Sequence, residues 1–202
     1  MQKVLAALKT QDPRMARLIE QIGPCRIRYL PPDFDTLAKA IIYQQLSGKV
    51  AATIYGRLLQ EAGDGRRLTA DAIILLSPER MRSIGLSRQK IAYLRELAHC
   101  VSSGRLDLRA LRDMEDNEVI RRLTEVKGVG VWTAHMFLIF ALQRMDILPT
   151  GDLGIRVAMQ KLYELPQMPR AREMEKIAEK WRPYRTVAAW YLWRSQEPDA
   201  NL

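Results

Sequence analysis

Helix start and stop signals recur so closely along this chain that only a series of short helices can accommodate them. Asp12 is followed by Pro13, an N-cap with proline at the first helical position, and the apolar spacing of RMARLIEQI runs on until Gly23-Pro24 stops it. Past the turn-like Pro31-Pro32-Asp33, FDTLAKAIIYQQL keeps apolar residues at helical spacing. Ser47 is placed to cap GKVAATIYGRLLQEA, which Gly63 and Gly65 end. Thr69 and Ser77-Pro78 open two shorter helices, the second closed by Gly85, and Ser87 caps a longer one that runs to the turn at Ser102-Ser103-Gly104. EDNEVIRRLTEV, VWTAHMFLIFAL, LGIRVAMQKLY and two final segments ending in AAWYLWRS complete the series. No stretch sustains the alternation of a strand. The fold class is therefore all-α, a compact set of short helices and not a coiled coil.

With 202 residues, 48% of them hydrophobic and 27% charged, the chain can fill one moderately large domain or two small lobes and does not have a disordered composition. No apolar run approaches the roughly 20 residues that span a bilayer. The opening residues carry no signal-peptide cleavage pattern, so a cytoplasmic protein with no membrane partner is expected. Cys25 and Cys100 are too few for a disulfide framework or a four-cysteine iron–sulfur cluster. Without a histidine pair or clustered cysteines, a catalytic transition metal has no ligand set. The net charge of +9 favours a polyanionic partner, nucleic acid or an anionic surface.

Lys127-Gly128-Val129-Gly130 joins two helices almost directly. The two glycines permit positive φ and close backbone approach, and the helix that follows adds its unpaired N–H groups and positive dipole end. Such a loop can seat a phosphate oxygen, with Lys127 adding charge. Because it follows a helix, it is not a dinucleotide-binding fingerprint. Taken alone, it is equally a tight helix connection with no ligand.

The segment LTEVKGVGVWTA, Leu123 to Ala134, is followed by Leu148-Pro149-Thr150-Gly151-Asp152. With AIIYQQLSGKVAATI before them and AEKWRPYRTVAAWYLW after them, along residues 33–196, these motifs resemble the helix-hairpin-helix/Gly-Pro-Asp DNA glycosylase superfamily. Within it they are most similar to the bacterial 3-methyladenine-DNA glycosylase II branch. The resemblance implies two helical lobes: residues 30–141 with the hairpin, and residues 1–29 with 142–202 carrying the catalytic aspartate, the active site lying in the cleft between them. Larger members of that branch have an extra N-terminal β-rich domain. This chain begins almost directly with the helical core, so pocket parts from that domain are expected to be absent or replaced.

Local sequence leaves Asp152 either a cap for the helix starting at Leu153 or a carboxylate facing a cleft; the resemblance makes it the catalytic aspartate. A fixed carboxylate stabilises the positive charge that builds on deoxyribose as an N-glycosidic bond breaks, and it can orient the attacking water. Trp132 matches the position that holds an imine-forming lysine in bifunctional members, and an indole cannot form an imine. The resemblance further implies a base pocket with Trp132 and Trp193 as stacking faces, Tyr43 and Tyr191 as added aromatic surface, and Met136 where the branch often has a tyrosine. Leu46, by its residue type an ordinary core leucine, matches the wedge that fills the gap left by a flipped base, and Gln45 would meet the opposite base. Lys127, Gly128, Val129, Gly130, Val131 and Thr133 would bind DNA phosphate, and hairpin carbonyls could hold a structural Na⁺ or K⁺. No cofactor is otherwise required, and no iron–sulfur cluster is expected. Trp181 and Trp190 read as core or lobe contacts, His135 as a packing residue, and Asp146 as a solvated turn residue.

The expected protein is thus a monofunctional glycosylase that removes 3-methyladenine and 7-methylguanine from double-stranded DNA, the first step of base excision repair. It would be a monomer with no obligate protein partner, associated with the nucleoid of a prokaryote. A glycosylase for uracil, mismatched or oxidised bases, a noncatalytic helix-hairpin-helix DNA-binding protein and a helical protein-interaction domain are the competing readings.

Overall fold

A computed structural model of the chain describes residues 1–62 and 65–196. Among these residues it contains twelve α-helices, two short 3-10 turns and no strand. In chain order the helices are α1 (Gln2–Gln11), α2 (Pro13–Ile22), α3 (Phe34–Tyr43), α4 (Gly48–Ala62), α5 (Ala70–Leu75), α6 (Pro78–Ile84), α7 (Arg88–Ser102), α8 (Asp116–Thr124), α9 (Val131–Phe140), α10 (Leu153–Tyr163), α11 (Ala171–Ala178) and α12 (Arg185–Gln196). The caps behave as their residue types dictate. Asp12, Thr69, Ser77, Ser87 and Asp152 each accept a backbone N–H from the first turn of the helix they precede. Gly85 closes α6 in the left-handed conformation.

Helix α1 rests on the core through Val4, Leu5 and Leu8, of which Leu8 alone is fully buried. Helix α3 stops at Tyr43 and does not run on through Leu46: Gln45 turns the backbone into the left-handed region at φ 56°. Gly63, expected with Gly65 to end α4, lies outside the described residues.

The chain divides into two compact units, Met1–Tyr29 with Leu138–Leu202, and Leu30–Phe137. The division falls inside α9, a few residues before the expected boundary at 141. Leu138 and Ile139 are buried, and Phe140 stacks on Trp193 with ring centroids 5.9 Å apart, so the end of the helix belongs with the residues that follow it.

In the Leu30–Phe137 unit, α7 packs against α3, α5 and α6, and α4 against α3 and α6, over a core that includes Leu37, Ile41, Leu58, Ile73 and Leu94. In the other unit, α12 packs against α2 and α10 around Met15, Met159, Trp181 and Tyr191, all fully buried. Burying each such side chain contributes roughly 1.5–3 kcal/mol. Trp190 is likewise core. Asp146 is not the solvated turn residue its surroundings suggested: its carboxylate takes Arg185 Nε at 2.6 Å and Arg182 Nη1 at 2.6 Å, tying the loop before α10 to the start of α12.

Candidate functional site

The two glycines of the hairpin have different work. Gly128 sits at φ 97°, and a Cβ there would lie 2.3 Å from Cγ of Tyr93, so both backbone conformation and space demand glycine. Gly130 has no positive φ and a Cβ would meet nothing within 4 Å, so its backbone is open to an approaching group. Permission for positive φ, expected of both, is used by Gly128 alone.

Directly after Gly130, α9 begins with Val131 and Trp132, 53% and 46% exposed, before the helix goes under in Ala134 and Phe137. Two large apolar side chains left exposed at the start of an otherwise apolar helix mark a contact surface. Lys127 is exposed, whereas the Val129 and Thr133 side chains are buried. The Val129 N–H already donates to the Val126 carbonyl at 3.0 Å, so of the two only Thr133 can meet a phosphate, and through its backbone.

The loop after α3 is tied to this hairpin. Gln44 Nε2 donates to the Gly128 carbonyl at 3.0 Å, across 84 residues of sequence. Lys90, near the start of α7, donates its ammonium protons to the carbonyls of Ile42 and Gln44, the latter at 2.7 Å, and so satisfies the end of α3. Burial holds the Lys90 amine below the usual lysine range. In the next residues, Gln45 is exposed and held in a left-handed conformation that non-glycine residues adopt at a cost of about 1–3 kcal/mol. Leu46 follows, half-buried.

A cavity of 770 Å³ lies within this unit, lined by Tyr43, Gln44, Gln45, Lys90, Tyr93, the Gly128–Gly130 backbone, Trp132, Thr133 and Met136 among others. It thus gathers the expected Tyr43, Gln45, Trp132 and Met136, and adds Lys90, Tyr93, Gln89 and Gln44. Gln89 Nε2 donates to the Tyr93 hydroxyl at 2.6 Å, which steadies the ring that backs Gly128. Lys39 lies over the rings of both Tyr43 and Tyr55, 5.6 and 5.2 Å from their centroids. No local signal in the sequence marks Lys90 or Tyr93, since their roles arise from where α7 meets α3 and the hairpin. His135, on α9, is partly buried, and burial lowers its pKa.

Asp152, in the other unit, caps α10: its Oδ1 accepts the Ile155 N–H at 2.9 Å and Nε1–H of Trp193 at 3.0 Å. Leu153 beside it is 63% exposed, and Asp152 itself is partly exposed. The two readings of this aspartate, cap and accessible carboxylate, are compatible in one geometry. Trp193 does not offer two open faces, because Phe140 stacks on it. Tyr191 is not a pocket residue at all. It is fully buried, its hydroxyl donates to the Gly23 carbonyl at 2.8 Å, and its ring meets Trp190 edge-on at 4.9 Å. Every residue of α12 from Thr186 to Leu192 is buried, so tertiary packing around the helix, and not its spacing, puts Tyr191 in the core. Among the described residues, no cluster of three or more His, Cys, Asp or Glu side chains is placed to hold a metal ion.

The Leu30–Phe137 unit thus carries a glycine-open hairpin at a helix N-terminus with an exposed indole beside it, and the other unit carries a capped, partly exposed carboxylate. Residues 38–183 match the family described as HhH-GPD superfamily base excision DNA repair protein, and the chain belongs to that family. It is 34% identical over 194 residues to DNA-3-methyladenine glycosylase 1 of Schizosaccharomyces pombe, covering 96% of this chain and 85% of that protein. The crystal structure of a Bacillus halodurans DNA-3-methyladenine glycosidase superposes with a TM-score of 0.88 at 36% identity, covering 96% of this chain and 89% of the other. The Schizosaccharomyces pombe 3-methyladenine DNA glycosylase Mag1 in complex with abasic DNA superposes with a TM-score of 0.85 at 34% identity, covering 96% and 97%. Among the described residues no helix is long and apolar enough to cross a membrane.

Proposed function

We propose that this chain is a monofunctional DNA glycosylase that hydrolyses the N-glycosidic bond of alkylated purines, 3-methyladenine and 7-methylguanine, in double-stranded DNA. This is the first step of base excision repair, and the reading places the protein with the nucleoid of a prokaryotic cell. The observation that carries it is the Asp152 carboxylate, fixed by two N–H donors yet partly exposed.

Each part then has a physical task. The hairpin backbone from Lys127 to Val131, with the first N–H groups of α9, takes a DNA phosphate, which positions the duplex without reading its sequence. Leu46 fills the gap left by the flipped base, and Gln45 meets the base opposite. The cavity holding Trp132, Tyr43 and Met136 receives the extruded base, whose positive charge favours an aromatic face. An alkylated cationic purine leaves readily, so the demand falls on the sugar. There Asp152 stabilises the developing oxocarbenium charge and directs water to the anomeric carbon. A monovalent cation would be held at the hairpin by hard backbone carbonyl oxygens; that of Gly128 keeps one lone pair beside the one that accepts from Gln44. Its part would be electrostatic, drawing a phosphate to the hairpin.

The monofunctional reading rests on Trp132, which has no amine. Lys90 lines the same cavity, yet its ammonium is committed to two carbonyls. Base release from a panel of 3-methyladenine, 7-methylguanine, uracil, mismatched and 8-oxoguanine duplexes tests the whole reading, with alkali-treated and untreated samples side by side. Free alkylated base with strands intact until alkali is expected. A borohydride-trapped adduct with strand cleavage before alkali would overturn the monofunctional reading and make Lys90 the first amine to replace.

A further inference from the structure

We infer that Trp193 is a positioning residue for Asp152, acting through its indole N–H and not as a stacking face for the base. The inference rests on the catalytic reading of Asp152 given above. Trp193 Nε1 donates to Asp152 Oδ1 at 3.0 Å, and the Ile155 backbone N–H donates to the same oxygen at 2.9 Å. One donor leaves a carboxylate free to swing about its Cβ–Cγ bond. Two donors from different helices, α10 and α12, set both the direction and the plane of the group, and a charge-assisted bond of this kind is stronger than a neutral one.

The indole is itself fixed. Phe140 stacks on it with an interplanar angle of 28°. Gly154 makes room for the pair: a Cβ at that position would lie 3.2 Å from Asp152 Oδ1 and 3.5 Å from Trp193 Cδ1. Gly154 shows no positive φ, so what this site uses is the missing side chain and not the backbone freedom. A phenylalanine at 193 could pack on Phe140 equally well, so packing gives no reason for the nitrogen. Orienting the carboxylate does.

The test is single-turnover excision of 7-methylguanine from a duplex, with lesion-duplex affinity measured alongside, for the parent, Asp152→Asn, Trp193→Phe and the double variant. A fifth protein carries 3-benzothienylalanine at position 193, which keeps the shape of the indole and replaces its N–H by sulfur. Trp193→Phe and the isostere are expected to slow excision about 10–100-fold, the worth of one hydrogen bond to a charged group, with affinity within about 3-fold of the parent. In the Asp152→Asn background, Trp193→Phe should cost less than about 3-fold more, because the group it positions has lost its charge. An isostere that excises at the parent rate would overturn the positioning role while leaving the Asp152 reading intact. So would an equal loss from Trp193→Phe in both backgrounds, which would return the residue to base stacking. Parent-rate excision by folded Asp152→Asn would instead remove the catalytic reading on which this one stands.

Discussion

Asp12 and Asp152 occupy the same local position. Each precedes a helix, accepts backbone N–H groups of its first turn, and takes a tryptophan indole N–H, Asp12 from Trp181 at 2.9 Å and Asp152 from Trp193 at 3.0 Å. Their surroundings differ. Asp12 is 1% exposed, its remaining oxygen closed in by the Tyr163 hydroxyl and Lys180 Nζ. Asp152 is partly exposed between Gly151 and the protruding Leu153. An N-cap with an indole donor holds a carboxylate still, and closure around it decides whether the fixed charge serves the fold or meets a ligand.

Removing each charge in turn should separate the two roles. Asp152→Asn keeps the size and part of the capping, so it should slow single-turnover excision by about 10²–10⁴-fold with Tm and lesion-DNA affinity little changed. A folded variant with nearly parent rates would return Asp152 to the role of Asp12. Asp12→Ala should do the reverse. Leaving Tyr163, Trp181 and Lys180 without their acceptor should cost about 3 kcal/mol of stability, read from denaturant midpoints, while the folded fraction keeps parent excision rates.

Asp12 should also make the fold sensitive to acid. Burial raises the Asp12 pKa, but the hydrogen bonds from Tyr163, Trp181, Met15 and Lys180 outweigh it and leave the group below its ordinary 3.8. A depressed folded-state pKa contributes stability that is present above the unfolded value and lost as pH falls through the folded one. Acid unfolding below about pH 4 should therefore be less steep in Asp12→Ala than in the parent. Equal steepness would show that other carboxylates dominate there.

The same division between closure and access separates the hairpin glycines. Gly128→Ala must relieve a contact with Tyr93 and a positive φ, so about 2–4 kcal/mol of stability should go with it. Gly130→Ala should leave Tm near the parent value and weaken binding to damaged and undamaged duplex alike by about 3–10-fold at low salt. Unchanged affinity in Gly130→Ala would move the phosphate contact off this backbone. The smallest effect belongs to His135. Burial places its folded-state pKa below 6.5, so the unfolded chain binds the proton first and stability falls as pH drops below about 6.5. His135→Gln should lose less Tm than the parent between about pH 7.5 and pH 5.5. A parallel loss in both would show that His135 is not the group that titrates.

What the sequence determined by itself was local. Caps such as Asp12, Ser77 and Ser87 bond N–H groups two or three residues away, so residue type and spacing sufficed to place most helices. The hairpin was legible as a short motif in the same way, whereas local residues left Asp152 a cap or a cleft carboxylate, and only the resemblance of several separated motifs to a known family gave roles to Asp152 and Trp132. Tertiary structure decided the rest, because it depends on which helix faces meet. Packing of α7 brought Lys90 and Tyr93 to α3 and the hairpin, and a bond spanning 84 residues tied Gln44 to Gly128. The approach of α12 to α10 turned the nitrogen of Trp193 toward Asp152, while packing about half a turn earlier on the same helix closed over Tyr191. No spacing rule distinguishes those two aromatic residues. Only the packed neighbours of each side chain determine whether it fills the interior or holds a charge in place.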